Sequence, residues 1–238
     1  MPKAKKSRSA RPLRWILIAL GVLLLMPPVE VLLVRFVDPP RTRPMLIHQI
    51  GGVFSRSPRR PLLYRWVDLP RVPETFLKHV WISEDQRFFQ HDGFDWKEID
   101  IAMERAERRG TPVRGASTIT MQCARSIFLW QGRSWIRKGI EAYYTFWMET
   151  LLSKRRIMEL YVNVIELGRG IYGIEAGAQH HFGVSAARLT REQSALLAAV
   201  LPNPKGWNPA RPSVQLRLRQ QRILHRERSV NFPQQLLR

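Results

Sequence analysis

Cysteine is almost absent. Cys123 stands alone in 238 residues, so no intramolecular disulfide can staple the fold. A thiol nucleophile needs a positioned base, and none lies near Cys123 in sequence, so it reads as a small packed residue. Acid is scarce as well: 19 Asp and Glu against 39 Lys and Arg leave a formal charge of +20. That balance favours an anionic partner, whether nucleic acid, an anionic membrane or a phosphorylated substrate, and does not choose among them. There is no phosphate-cradling P-loop, no dinucleotide fingerprint, and no GxSxG or SxxK serine context. The six histidines form neither HExxH nor a Cys/His zinc spacing, and adjacent His180 and His181 would diverge on a helix. Internal repeats and strong alternating strand patterns are also missing. With 45% apolar residues, the chain can bury one sizeable core beside an anchor, and the expected class is mainly α.

The N-terminus opens with Lys3, Lys5, Lys6, Arg8, Arg11 and Arg14 and no acid over residues 1–14, followed by an apolar stretch from Trp15 to Val34. Twenty helical residues rise about 30 Å, the thickness of a bilayer core. The expectation is a basic cytoplasmic tail at 1–14 and an uncleaved single-pass anchor at 15–37, with the remainder outside the inner membrane. Pro27-Pro28 interrupts the run, and Glu30 is costly in lipid, so Glu30 is expected near the outer interface, in reach of water. No small-x-small cleavage site follows.

Residues 38–72 carry Pro39, Pro40, Pro44, Pro58, Pro61 and Pro70 with Gly51-Gly52, and read as an extended connector with a few short strands at most. From Pro73 the pattern turns helical. Trp96, Ile99, Ala102, Met103 and Ala106 recur at helical spacing behind Asp95, a candidate N-cap. Ile136, Ile140, Tyr143, Trp147 and Leu151 form a second stripe, and Ile157, Leu160, Tyr161 and Val164 a third. Thr190 and Gln193 form a capping box ahead of the apolar run Ala195–Leu201, which Pro202 and Pro204 end. The main domain is placed at 73–225 and a tail at 226–238. The stretch 211–228, with six arginines and one acid, is expected as a solvated helix near anionic headgroups.

Three segments carry candidate chemistry. In 84–95, Glu84 and Asp85 precede Phe88 and Phe89; they fit either a carboxyl held in a partly apolar pocket, as a general base requires, or solvated acids at a helix end. In 115–126, Gly115, Ser117, Thr118, Thr120 and Gln122 with Arg125 suit a sugar or phosphate, or equally a Ser/Thr helix cap. In 133–141, Arg133, Arg137 and Lys138 fall with Glu141 at helical spacing, giving either a surface ion pair or a cationic ridge for pyrophosphate.

In this order the segments resemble the peptidoglycan glycosyltransferases of glycosyltransferase family 51, most closely the monofunctional biosynthetic transglycosylases. Glu-Asp-x-x-Phe-x-x-His-x-Gly is matched by Glu84, Asp85, Phe88, His91 and Gly93. Gly-x-Ser-Thr-x-Thr-x-Gln is matched by Gly115, Ser117, Thr118, Thr120 and Gln122, and Arg-Lys-x-x-Glu by Arg137, Lys138 and Glu141. Ile-x-Glu-x-Tyr-x-Asn follows at Ile157, Glu159, Tyr161 and Asn163, then Gly173, Glu175 and Ala176, and the Leu-Pro-Asn-Pro ending within Ala195–Pro204. The likeness covers about 60–210 and the anchor. Three positions depart: Met121 stands where the family has Gln, and Arg125-Ser126 where it has Lys-Asn.

The resemblance implies a lysozyme-like helical domain that polymerises a lipid-linked disaccharide-pentapeptide (lipid II) into β-1,4 glycan strands. Glu84 would activate the acceptor 4-hydroxyl for a single inverting displacement of polyprenyl pyrophosphate, with Glu141 as a second catalytic carboxylate. Asp85, Phe88, His91, Ser117, Thr118, Gln122, Arg125, Arg133, Arg137 and Lys138 are the implied substrate-binding residues. A divalent cation, Mg or Mn, is left open beside Glu141, since such ions take oxygen ligands. Implied partners are the lipid-linked precursor, the growing strand, anionic lipids and other cell-wall synthesis proteins, not nucleic acid. A lysozyme-like muramidase or lytic transglycosylase is the nearest alternative, and a non-enzymatic basic membrane scaffold the next.

Overall fold

The computed structural model describes residues 11–53, 61–113, 115–132 and 134–233, with the side chains at 11–13, 16, 19–20 and 52–53 outside that description. The expected basic tail at 1–14 therefore lies largely outside the described residues. Among them the chain forms ten α-helices and three short strands, the mainly α class expected from sequence.

Helix α1 (Arg11–Phe36) runs through Pro27 and Pro28 without breaking. Among the described residues, no helix is long and apolar enough to cross a membrane. The following stretch is not extended throughout, because α2 (Arg43–Val53) forms inside it. Proline density there misled the reading: Pro44 sits in the first turn of α2, where a missing N–H costs nothing. Strand β1 (Leu63–Tyr64) pairs in parallel with β3 (Ile171–Tyr172), which is antiparallel to β2 (Glu166–Gly168), giving the order β1-β3-β2.

The remaining helices build the core. α3 (Glu74–Glu84) and α4 (Trp96–Arg109) flank the first acidic segment. α5 (Ile119–Phe128), α6 (Trp135–Leu151) and α7 (Lys154–Val164) pack together, with α8 (Ile174–Phe182) beyond them. α9 (Arg191–Val200) and α10 (Val214–Glu227) pack on α3. The third stripe behaves as read: Ile157, Leu160, Tyr161 and Val164 are fully buried on α7. Asp95 caps α4 by accepting from the Glu98 amide, and the Thr190–Gln193 capping box closes the start of α9.

Two stripes behave differently. On α4 only Ala102 and Ala106 are buried, while Trp96 and Met103 face outward. On α6 the buried face holds Arg137, Glu141, Tyr144, Thr145 and Met148, and Ile136 is exposed. The most deeply buried side of α6 thus carries charge, while Ile140, Trp147 and Leu151 of the apolar stripe are partly buried against the core, and Tyr143 donates to the Leu24 carbonyl of α1. Helix α10 is not merely solvated either: Leu216 and Ile223 bury against the core and Arg219 points inward.

The Ile157–Asn163 block serves two directions from one helix. Glu159 and Asn163, four apart, share a face. Glu159 accepts from the Leu69 amide at 3.0 Å, and the Asn163 amide pairs with both backbone groups of Val67 at 2.8 and 2.9 Å. This straps the segment before α3 onto α7. Tyr161 faces the site instead.

Candidate active site

Glu84 is the last residue of α3, and Asp85 caps the helix. Both readings of the first segment hold in part: Glu84 is at a helix end, yet its side chain is only 10% exposed. Its Oε1 accepts from Arg219 Nη2 at 3.1 Å and its Oε2 from Gln122 Nε2 at 3.1 Å. Burial pushes its pKa up; the Gln122 hydrogen bond and the Arg219 charge pull partly back. A carboxylate with a raised pKa and one face open to a cleft is a stronger base than an ordinary solvated one. Tyr161 Oη donates to Gln122 Oε1 at 3.0 Å, which fixes the amide so that its N–H points at Glu84.

The loop after Glu84 is held by its own motif. Asp85 accepts from the Ile119 amide at 3.0 Å, at the N-terminus of α5, where a carboxylate meets the positive end of the helix. His91 Nε2 lies 3.0 Å from Asp85 Oδ2, and His91 Nδ1 accepts from the Gly93 amide at 3.1 Å, so Nε2 carries the proton toward Asp85. Thr118 Oγ1 donates to the Gly93 carbonyl at 2.7 Å and caps α5 by accepting from the Met121 amide. Gly93 has φ +90°, and a Cβ there would meet Thr145 Cγ2 at 2.7 Å. Phe88 is fully buried under the Lys154 ammonium, 4.6 Å from the ring centre.

Asp85, Phe88, His91 and Thr118 are buried, and the polar groups of Asp85, His91 and Thr118 are engaged internally, so they shape the loop and the helix start; Asp85 and Thr118 also line the cleft at Glu84. The helix-cap reading of Thr118 holds.

The second carboxylate sits inside a cationic cluster. Glu141 is 0% exposed; Arg137 Nη1 reaches Oε2 at 2.7 Å and Lys138 Nζ reaches Oε1 at 2.6 Å, with Arg125 Nη1 at 3.8 Å from Oε2. Both oxygens are occupied by cations. Glu141 is an orienting residue that gathers Arg125, Arg137 and Lys138. The same geometry argues against a divalent ion there, since the ion would displace or repel three cations. Asp85, His91 and Asp95 also cluster within 4.8 Å, but Asp95 is engaged by Arg87 at 2.9 Å and by the Glu98 amide. Neither donor set fits a metal.

The two carboxylates are connected. Gln122 Nε2, bonded to Glu84, also reaches the Ser117 carbonyl at 3.3 Å, while Ser117 Oγ lies 3.4 Å from Lys138 Nζ, itself on Glu141. A cleft of about 330 Å³ opens at Glu84, Gly115, Ser117 and Arg226. A larger one of about 550 Å³ opens beside Gln122, Arg125, Arg137, Tyr161 and Lys205. Arg125 and Lys138 remain partly exposed. Arg133 lies outside the described residues.

Three contributors escaped the sequence reading. Tyr161 looked like a core residue by spacing, although its hydroxyl lies in the resembling block. Arg219 was one arginine among six in a basic run. Lys205 lines the larger cleft from the loop after α9, where it bonds Gln131.

The transglycosylase family model matches residues 53–228. A biosynthetic peptidoglycan transglycosylase of Caulobacter vibrioides is 44% identical over 214 residues, covering 90% of each chain. The chain belongs to the transglycosylase family. The enzymes of that name from Pasteurella multocida and Pseudomonas aeruginosa are each 44% identical, over 194 and 191 residues, covering 82% and 80% of this chain and 78% and 82% of theirs. The expected class, a peptidoglycan glycosyltransferase, therefore stands.

The departures from the family pattern fall into place on this transglycosylase. Met121 is a buried core residue, so only Gln122 of that pair needs an amide. Ser126 Oγ donates to the Gln122 carbonyl at 2.8 Å within its own helix and does not substitute for a substrate-facing amide.

Proposed function

We propose that this transglycosylase extends glycan strands at the outer face of the inner membrane, with Glu84 as the base that activates the 4-hydroxyl of the acceptor sugar. The observation that carries this is the division of the site into a desolvated carboxylate with an open face and a separate cationic cluster organised by Glu141. The acceptor oxygen attacks the anomeric carbon of the strand end, the bond to the pyrophosphate oxygen breaks, and Glu84 takes the hydroxyl proton. The single displacement inverts the α-linkage to β. A pyrophosphate leaves without a proton donor but needs countercharge, which Arg125, Lys138 and Arg137 are arranged to supply. Cleavage of a finished glycan would have no pyrophosphate for that cluster to neutralise.

Helix α1 is read as a single-pass anchor with the domain outside. Among its described residues Trp15, Leu17, Val22, Leu23, Leu24 and Leu25 expose apolar side chains, which supports a lipid-facing surface. The basic helix α10 and the arginines around the cleft favour anionic headgroups. The remaining finer readings, a lysozyme-like domain spanning 73–225 and contacts to other wall-synthesis proteins, belong to the same proposal.

The deciding experiment mixes the full-length enzyme with polyprenyl-linked disaccharide-pentapeptide in vesicles and, separately, with preformed wall. Strand growth with release of polyprenyl pyrophosphate is expected; fragment release from preformed wall without growth would establish a cleaving enzyme instead.

A further inference from the structure

Two features of α1 looked like flaws in an anchor: Pro27-Pro28 within the helix and the acid Glu30. Each meets a partner from the catalytic domain. Neither Pro27 nor Pro28 has an N–H, so the carbonyls four residues earlier, on Leu23 and Leu24, lose their helical donors. Tyr143 Oη of α6 donates to the Leu24 carbonyl at 2.9 Å. Glu30 stays partly exposed, within reach of water as expected, and is also paired by the domain. Its Oε1 receives Arg43 Nη2 of α2 at 2.5 Å, and its Oε2 receives the Tyr144 hydroxyl of α6. Arg43 turns its other nitrogen to the Phe128 carbonyl at 2.6 Å, at the end of α5, and the Phe128 and Tyr144 rings stack at 4.4 Å. Farther along, Arg156 of α7 donates to the Val34 carbonyl at 2.9 Å and pairs with Asp38 at 2.8 Å. Val31 and Val34 are buried in the domain core.

A flexible tether needs none of this. A proline pair that frees a carbonyl, and a carboxylate in an apolar helix, are costly unless a fixed partner meets them. Here the partners come from α2 and α6, and one of them also holds the end of α5, the helix that delivers Gln122 and Arg125 to the site.

We propose that the Leu24–Glu30 segment of α1 is a docking site for the catalytic domain, and that Tyr143, Tyr144 and Arg43 are positioning residues that hold the cleft at one height and orientation over the bilayer. The inference rests on the reading of α1 as the anchor. A polyprenyl substrate confines its pyrophosphate to a narrow layer at the membrane surface. A cleft at fixed height meets that layer in register, whereas a swinging domain meets it only part of the time.

The test uses the full-length chain in nanodiscs, with wild type compared with Tyr143→Phe and with Glu30→Gln/Tyr143→Phe. Spin labels on Leu25→Cys and Val214→Cys report the distance between anchor and domain, Cys123 being buried. Polymerisation of polyprenyl-linked disaccharide is measured in the bilayer and in detergent micelles, where no plane fixes the substrate. Wild type should give one narrow distance distribution. The double variant should broaden it and lose on the order of tenfold in bilayer rate, with the micelle rate within about twofold and Tyr143→Phe intermediate. An unchanged distribution, or rates that fall together in both media, would overturn the proposal. Failure of the wild-type protein to float with vesicles would instead remove the anchor reading on which it rests.

Discussion

Replacing Glu84 by Gln separates the chemistry of the site from its construction. The amide keeps the size of the side chain and can still accept from Gln122 Nε2, but it cannot take a proton. Loss of a general base lowers turnover by about 10²–10⁴-fold, and the upper end is expected because Glu141, sealed by Arg137 and Lys138, cannot substitute. Stability should move little. Two effects oppose each other: relief of burying a charge, and loss of the 3.1 Å pair with Arg219, whose side chain is 30% exposed. The sign of the first follows from linkage. A carboxyl whose folded pKa is raised binds its proton more tightly in the folded state, so its contribution is favourable below that pKa and is lost as pH rises through the window above 4.5. Above that window the ionised Glu84 is therefore a cost that Gln removes. A partly exposed pair contributes at most ~1 kcal/mol after screening, so the net shift in Tm should stay within about 4 °C for a domain of this size. The assay pairs strand synthesis from fluorescent lipid-linked disaccharide with thermal unfolding of the same preparation. Retention of more than a tenth of the wild-type rate would refute the base assignment; a large loss of stability would mean that the carboxylate is structural.

Removal of Arg219 takes away a charge that favours the Glu84 carboxylate, so Arg219→Ala should move the acidic limb of the kcat/KM–pH profile to higher pH, with the alkaline limb unchanged. Glu141→Gln leaves Arg137 and Lys138 facing each other without their shared anion. It should cost about 3 kcal/mol in denaturant unfolding and raise KM, without moving the acidic limb, which distinguishes it from a base. Arg125→Ala should weaken lipid-linked substrate in KM while stability stays within ~0.5 kcal/mol, because the side chain stands partly exposed at the edge of the cluster. Gly93→Ala combines a left-handed backbone with a Cβ 2.7 Å from Thr145, and should cost about 2 kcal/mol or more in stability while activity per folded molecule persists.

Local sequence rules succeeded where one helix decides the outcome. Asp95, Thr118 and the Thr190–Gln193 pair announce helix starts through side chains that reach only three residues, and all are found doing so. The stripe on α7 is legible because core surrounds that helix on its apolar face. The stripes on α4 and α6 mislead for one reason: periodicity reports that a face is apolar, not what covers it. On α6 the apolar face is only partly buried, beside α1, and the domain interior takes the charged face as well, because Glu141 brings its own cations with it. Arg219 was illegible, since nothing local distinguishes it from Arg217 or Arg222; only the packing of α10 on α3 brings it to Glu84.

The same contrast explains why the altered second block is compatible with a working site. On α5, Gln122 must face Glu84, so its neighbour Met121 turns about 100° around the helix and into the core, where an amide would need partners that the core does not offer. Arg125, three residues on, returns to the face of Gln122 and reaches toward Glu141, and its longer fork keeps a positive charge at the rim although it approaches only to 3.8 Å. Ser126, four residues on from Gln122, binds back to the Gln122 carbonyl and so braces the turn that aims the amide at the base. The block thus preserves what the chemistry requires of it, an amide on the carboxylate and a cation at the cleft, and varies at positions that the helix turns elsewhere or uses for its own support.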